Sequence, residues 1–331
     1  MQTSVKRLEV HTRRTFSIAR SSADAFERVV FEIEAEGVTG RGEAAPSGYY
    51  GQDASGVAAA LEHVAIGDPW DIEGTLARND RLPPSALAAL DNALHDLAAG
   101  RLGVPVYRLL GLAKPEPVSA YTLGIADRET TVADAERLRE FPILKVKVGG
   151  WEDVETLRAV REASGSDLWV DANEAFSPGE AVDVVAELKE IGVRMIEQPV
   201  PASAGPEALA RATEAASPVP VMADESAVAA RDVPALAGYV GGVNVKLAKC
   251  GGIRGALEMI HTARAHGMLV MLGCMVETSL GISAAAHISG LVDFLDLDGA
   301  MLLADDPYAG PTYDNGRILL SEEPGLGVVP R

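Results

Sequence analysis

Two lysines stand two residues apart in the apolar run "ILKVKVGG", residues 143–150. In a strand, residues two apart share a face. Lys145 and Lys147 are therefore neighbours, while Leu144, Val146 and Val148 cover the other side. Taken alone, such a run reads as an edge strand whose lysines discourage pairing with another chain. Its company along the chain changes that reading. Carboxylates stand in three further apolar runs: Asp171 in "DLWVDAN", Glu197 in "MIEQPV" and Asp224 in "VPVMADE". Lys246 lies in "GVNVKLA", and Asp296 and Asp298 lie in "FLDLDG". Any one of these could cap a helix or pair with a neighbouring charge. Three carboxylates on consecutive runs, with lysines on the runs before and after, point instead to one site.

Three converging carboxylates make an all-oxygen site suited to a hard cation, and Mg²⁺ there would keep places open for water and substrate. No His or Cys stands at these positions, which argues against zinc. A lysine near a divalent cation and a second ammonium has its protonated form disfavoured, so it can act as a base near neutral pH. A metal holding a substrate carboxylate between two lysines suits one task. A proton leaves the carbon α to the carboxylate on one face, the metal stabilises the enediolate, and a proton returns on the other face. A base with an acid opposite it permits racemisation or epimerisation.

The elements that position these residues follow a regular order. Apolar strands are expected at 118–125, 143–149, 167–173, 195–200, 219–225, 242–248, 269–275 and 294–299, with amphipathic helices between them. Their starts lie 23 to 28 residues apart, room for a strand, a loop and a helix each time. Eight parallel strands at that period suggest an α/β fold of the (β/α)8 type, whose strand C-termini face the active site. A doubly wound open sheet is the alternative, but no G-x-G-x-x-G follows the first strands. The last strand lacks a clear helix after it, and "PYAGPTYDNGRILL" reads as β structure. The first third differs, with strands around 7–19 and 27–46 followed by helical alanine- and leucine-rich segments between 54 and 112. That order suggests an α+β unit. The expected division is a capping domain over 1–113, a barrel over 114–303, and a segment over 304–331 that returns to the cap.

Composition narrows the partners. The 331 residues are 47% hydrophobic and 23% charged, as in a chain with a sizeable core. The formal charge of -19 argues against nucleic acid or an anionic membrane, both of which reward clustered Lys and Arg. Two cysteines, Cys250 and Cys274, are too few for a disulfide framework and read as buried thiols. The first residues carry no apolar leader-like run. The longest apolar stretch, 267–276, is about half of what a membrane span needs. A cytoplasmic protein with a small-molecule substrate is the expectation, and a homo-oligomer is left open.

Five pieces, "KVKVG", "VDANEAF", "MIEQPV", "MADES" and "NVKLAKCGGI", resemble the enolase superfamily in the branch related to muconate-lactonizing enzymes. The likeness spans nearly the whole chain. It implies a modified (β/α)7β TIM barrel with an α+β cap, and Asp171, Glu197 and Asp224 as ligands of one Mg²⁺ per subunit. It further implies Lys147 and Lys246 as the acid/base pair and Lys145 as an electrostatic helper. Lys249, just beyond the strand, reads as a loop residue. The mandelate-racemase branch would place a histidine at the end of strand seven, where "LGCMVETS" has none. "DLDG" resembles the Asp-x-Asp of dipeptide epimerases, in which Asp296 and Asp298 would hold the substrate's free α-ammonium. Arg20, in "FSIARSS", falls where L-Ala-D/L-Glu epimerases carry an arginine that pairs with the glutamate side chain, a role suited to a guanidinium. Thr122 is a further candidate for a substrate contact, and "SGYYGQDAS" (47–55) a candidate lid. Glu174 departs from the pattern, since a glutamine often stands there.

The resemblance thus implies an isomerase interconverting L-Ala-L-Glu and L-Ala-D-Glu by 1,1-proton transfer, in the turnover of cell-wall (murein) peptides. Another dipeptide is the nearest alternative. o-Succinylbenzoate synthesis, N-acylamino-acid racemisation and muconate cycloisomerisation are further ones, but their substrates lack the α-ammonium that the paired aspartates would receive. A catalytically idle binding protein would require the loss of an essential group, and every expected group is present.

Overall fold

A computed structural model describes residues 1–331 and opens with an antiparallel meander. Its strands are β1 (Gln2–Ile18), β2 (Ser21–Ala35) and β3 (Val38–Ala44). The β1–β2 hairpin places Arg20 at its tip. Helix Pro84–Leu102 lies across this sheet and is buried on most of its surface. Such closeness requires glycine on the strand: a Cβ on Gly40 would come 2.2 Å from Ala93 O, and one on Gly42 2.0 Å from Ala89 O.

The expected strands follow in order, each shorter than its apolar run: β4 (Tyr121–Leu123), β5 (Ile143–Lys147), β6 (Asp167–Asp171), β7 (Met195–Glu197), β8 (Val221–Ala223), β9 (Gly242–Lys246), β10 (Leu269–Gly273) and β11 (Phe294–Asp296). They form one parallel sheet in sequence order. Its two edges meet: Ala120 N donates to Leu295 O at 2.9 Å, and Leu297 N donates to Ser119 Oγ at 2.8 Å. The sheet is thereby drawn round into a barrel.

Helices cover its outside, and their ends follow local chemistry. Helix Pro178–Ile191 starts with a capping box between Ser177 and Glu180, has Pro178 in its first turn, and stops at Gly192 with φ 87°. Its Ala181, Val184, Val185, Leu188 and Ile191 recur at helical spacing and face the sheet. Full burial of each larger side chain contributes about 1.5–3 kcal/mol. One crossover departs from the helical expectation, and the last strand lacks a following helix as expected. Between β8 and β9 there are only short turns ending in Val233–Leu236, and β11 is followed only by Gly299–Leu302.

The pleat sorts the strand residues. Leu144, Val146, Leu168 and Val170 join the outer core beneath the helices. Ala120, Trp169, Met195, Met222 and Met271 form a separate apolar cluster within the barrel. The segment after β11 bonds to both halves: Ala304 N to His11 O and Gly325 N to Val104 O on the cap side, and Ser119 N to Gly316 O on the barrel side. No helix is long and apolar enough to cross a membrane.

Candidate active site

Parallel register sets the first layer of the site. Lys147 pairs with Asp171 across β5 and β6, and Asp171 with Glu197 across β6 and β7, so three charged side chains reach the rim at one level. On the far side Lys246 pairs with Gly273, and Gly273 with Asp296. Gly273 leaves room there for Asn244, whose Oδ1 would lie 2.7 Å from an added Cβ. Asp224 stands one residue beyond β8. Lys145, Lys147, Asp224, Lys246 and Asp296, with the hairpin tip and residues 46–50 of the cap, line a cavity of about 440 Å³.

The predicted lysines and carboxylates do converge, and they are almost completely buried. Lys147 Nζ lies 2.5 Å from Asp171 Oδ2. Lys145, expected as a helper, is a hub: its Nζ stands 2.6 Å from Glu197 Oε2, 2.6 Å from Asp296 Oδ2 and 3.2 Å from Asp171 Oδ2. Lys246 Nζ lies 2.9 Å from Asp224 Oδ2, on the opposite flank from Lys147. The acidic side chains therefore do not form a three-ligand cluster among themselves; ammonium groups stand between them.

Burial and charge act in opposition here. Burial alone would drive Asp171 and Asp224 toward the neutral form, but adjacent lysines outweigh it and hold both far below the usual carboxylate range. Glu197 goes the other way, raised by burial and by the Asp171 charge despite Lys145. With only the neighbouring carboxylates beside them, two of these lysines are held firmly protonated. Burial opposes the charge on Lys145 and Lys246, yet Asp296 and Glu197 beside the first, and Asp224 and Glu197 beside the second, hold their pKa values well above that of an ordinary lysine.

Three sequence readings are corrected. Lys249 is not a loop residue: it lies on the short helix Leu247–Cys250 with its side chain wholly buried. Its Nζ bonds Asp224 Oδ1 and the carbonyls of Asp224, Ala227 and Asn244. Asp298, expected within the strand over 294–299, lies past the end of β11. It accepts the Thr122 N–H at 2.6 Å, bridging the first and last strands. Burial and the Asp296 charge push its carboxyl up to about 7. Thr122 is thus already engaged, its hydroxyl standing 3.3 Å from Asp296 Oδ1. Finally, the free thiols are half-buried rather than buried, and Cys274 lines the cavity.

Other residues of the site carried no signal in the sequence. Asn244 donates to Glu197 Oε1 at 2.6 Å from the strand that also carries Lys246. Asn173 lines the cavity, and its contact with Glu225 at 3.3 Å joins two loops. Arg20 reaches these loops from the cap, with Nη2 2.6 Å from Glu225 Oε1. Several buried oxygens accept no hydrogen bond, among them Glu197 Oε2, Asn173 Oδ1 and Glu225 Oε2. Glu197 Oε2 is close to Lys145 but not in line for a hydrogen bond.

A capped barrel with lysines on opposite flanks of a carboxylate cluster defines an acid–base enzyme architecture. Family comparison makes it particular: residues 2–111 match the mandelate racemase / muconate lactonizing enzyme N-terminal domain, and residues 130–331 match the enolase C-terminal domain-like family. The chain belongs to the enolase superfamily. It is 41% identical to an L-Ala-D/L-Glu epimerase of Bacteroides thetaiotaomicron over 97% of this chain and 86% of that one. The dipeptide epimerase of Enterococcus faecalis V583, solved with Mg and L-Leu-L-Tyr, superposes with a TM-score of 0.94 at 32% identity, covering 99% of this chain and 98% of that one. The substrate-liganded L-Ala-D/L-Glu epimerase of Bacillus subtilis does so with a TM-score of 0.94 at 30% identity, covering 100% and 98%.

Proposed function

We propose that this protein is an Mg²⁺-dependent dipeptide epimerase that inverts the α-carbon of the C-terminal residue, with L-Ala-L-Glu and L-Ala-D-Glu as its substrate pair. The observation that carries the proposal is the placement of Lys147 and Lys246 on opposite flanks of Asp171, Glu197 and Asp224, with both lysines and Asp224 lining one cavity. Asp171, Glu197 and Asp224 would hold the ion. Their donors are all oxygen, two are kept deprotonated, and buried Glu197 Oε2 accepts no hydrogen bond. Bound there, Mg²⁺ supplies positive charge for the substrate carboxylate as the α-proton leaves.

This chain's own residues carry out the rest. Lys147 takes or returns the proton on one face of the α-carbon, and Lys246 does so on the other. Lys145 keeps Glu197 and Asp296 in register through its contacts with both. Asp296 receives the free α-ammonium, and Asp298 supports it by fixing the Thr122 backbone. Arg20 lines the cavity and is assigned to the side-chain carboxylate of the second residue. The similarity to L-Ala-D/L-Glu epimerases supports glutamate there. A cytoplasmic role in recycling murein peptides belongs to the same proposal. One observation favours a second reading, a dipeptide with a different C-terminal residue: Arg20 is already paired with Glu225.

Proton NMR of L-Ala-L-Glu with enzyme and Mg²⁺ in D₂O tests this. The expected result is loss of the glutamate α-proton signal with growth of the L,D diastereomer. Exchange on other dipeptides alone would transfer the assignment to them, and silence across a dipeptide library would overturn the epimerase reading.

A further inference from the structure

Arg20 belongs to the cap, yet the barrel holds it. Its Nη2 lies 2.6 Å from Glu225 Oε1, and its Nη1 donates to Asn173 O at 3.1 Å and stands 3.7 Å from Glu174 Oε2. The guanidinium also lies 4.4 Å from the centre of the Tyr49 ring. Glu174 is itself fixed, its Oε1 accepting from Tyr49 OH at 3.0 Å and from Ala202 N at 2.7 Å. Asn173 and Glu174 have φ of 42° and 69°, the left-handed region that non-glycine residues seldom enter. Two consecutive residues held there turn a carbonyl and a carboxylate toward the same hairpin tip. Two loops of the barrel thus bracket one arginine with two negative charges.

A substrate carboxylate that reaches Arg20 must approach against that bracket, whereas a neutral side chain meets no such opposition. We propose that Glu174 is a specificity-determining residue, which together with Glu225 holds Arg20 and sets how far an acidic second residue is preferred over its neutral isostere. This rests on the reading of Arg20 as the receiver of the substrate side chain. Specificity is a difference between two affinities, and a competing charge in the protein lowers only the acidic one. Removing the Glu174 charge therefore raises the preference for the acid.

Glu174→Gln tests the idea, since it keeps the size and an acceptor oxygen for Ala202 N and Tyr49 OH. The ratio of kcat/KM for L-Ala-L-Glu to that for L-Ala-L-Gln should rise about two- to fivefold, as expected of a partly exposed pair, with most of the change in KM for the acid. In an Arg20→Met background the same substitution should lose its selective effect. An equal change on both dipeptides, or a selective effect that survives Arg20→Met, would overturn the proposal. Hydrogen exchange at residues 19–22 of the substrate-free protein gives a reading independent of any substrate: Glu174→Gln should quicken it, and unchanged exchange refutes the bracket. Should the wild-type enzyme turn over neither dipeptide, the function reading fails, and the exchange measurement alone decides the bracket.

Discussion

Lys147 and Lys249 show how differently two buried lysines can serve one site. Lys147 has a single carboxylate partner and opens on the cavity. Its replacement by alanine should remove proton transfer on one face, lowering kcat by about 10²–10⁴. Mg²⁺ binding by calorimetry should persist in that variant, because the carboxylates remain. Lys249 is enclosed and satisfies four oxygens that join β8 to β9. Lys249→Met leaves Asp224 with one ammonium fewer in a buried setting, so the loss should fall on stability, at about 3–5 kcal/mol in urea unfolding. The lysine pair was legible because strand alternation and spacing marked it. Lys249 was not, because its role depends on where three backbone carbonyls lie after folding.

At the scale of elements, the barrel seam lies at its first and last strands. Only three residues of β4 and three of β11 are in strand form, and the seam relies on the Ala120–Leu295 bond and on Asp298 accepting from Thr122. Asp298→Ala should therefore cost about 1–3 kcal/mol of stability by leaving a buried N–H without a partner, in addition to any effect on substrate binding. Thermal unfolding beside Asp298→Asn, which keeps an acceptor oxygen for the Thr122 N–H, checks this: the asparagine variant should retain most of the lost stability, and an equal loss in both variants would refute the seam argument. The existence and order of all eight strands could be read from the apolar runs, since each must bury both faces. Their ends could not, because they are set by where neighbouring carbonyls stop pairing. That is why the "DLDG" aspartates, two apart in sequence, do not share a strand.

The whole molecule depends on how the cap meets the barrel. Buried Arg28, from β2, donates to Val276 O at 2.7 Å, and buried Glu43, from β3, accepts from Thr278 N at 3.1 Å. Burial, reinforced by the Glu277 charge and only partly offset by Arg28, pushes Glu43 up to about 7. A carboxyl raised in the folded state binds its proton more tightly there than in the unfolded chain, so its contribution to stability falls as pH rises from about 4.5 to about 7. Asp298 acts in the same direction, from about 3.8 to about 7. Asp171 and Asp224 act oppositely, but only at pH below the ordinary aspartate value. The melting temperature should therefore decline from about pH 4.5 to about pH 7, and Glu43→Gln should flatten the decline. A slope unchanged in the variant would show that Glu43 does not carry it.

The sequence alone determined the barrel, its cap and the residues that could do chemistry, because strand alternation and an eightfold rhythm of apolar runs are local and periodic. Lys145, Lys147 and Lys246 line one cavity from those positions, and Asp171 and Glu197 pair with Lys145 beside it. Only the tertiary structure decided how their charges are shared. Which ammonium sits among which carboxylates, and which loop carboxylates surround Arg20, depend on distances between strands and loops far apart in the chain, and Coulomb energy in a buried site varies steeply with such distances.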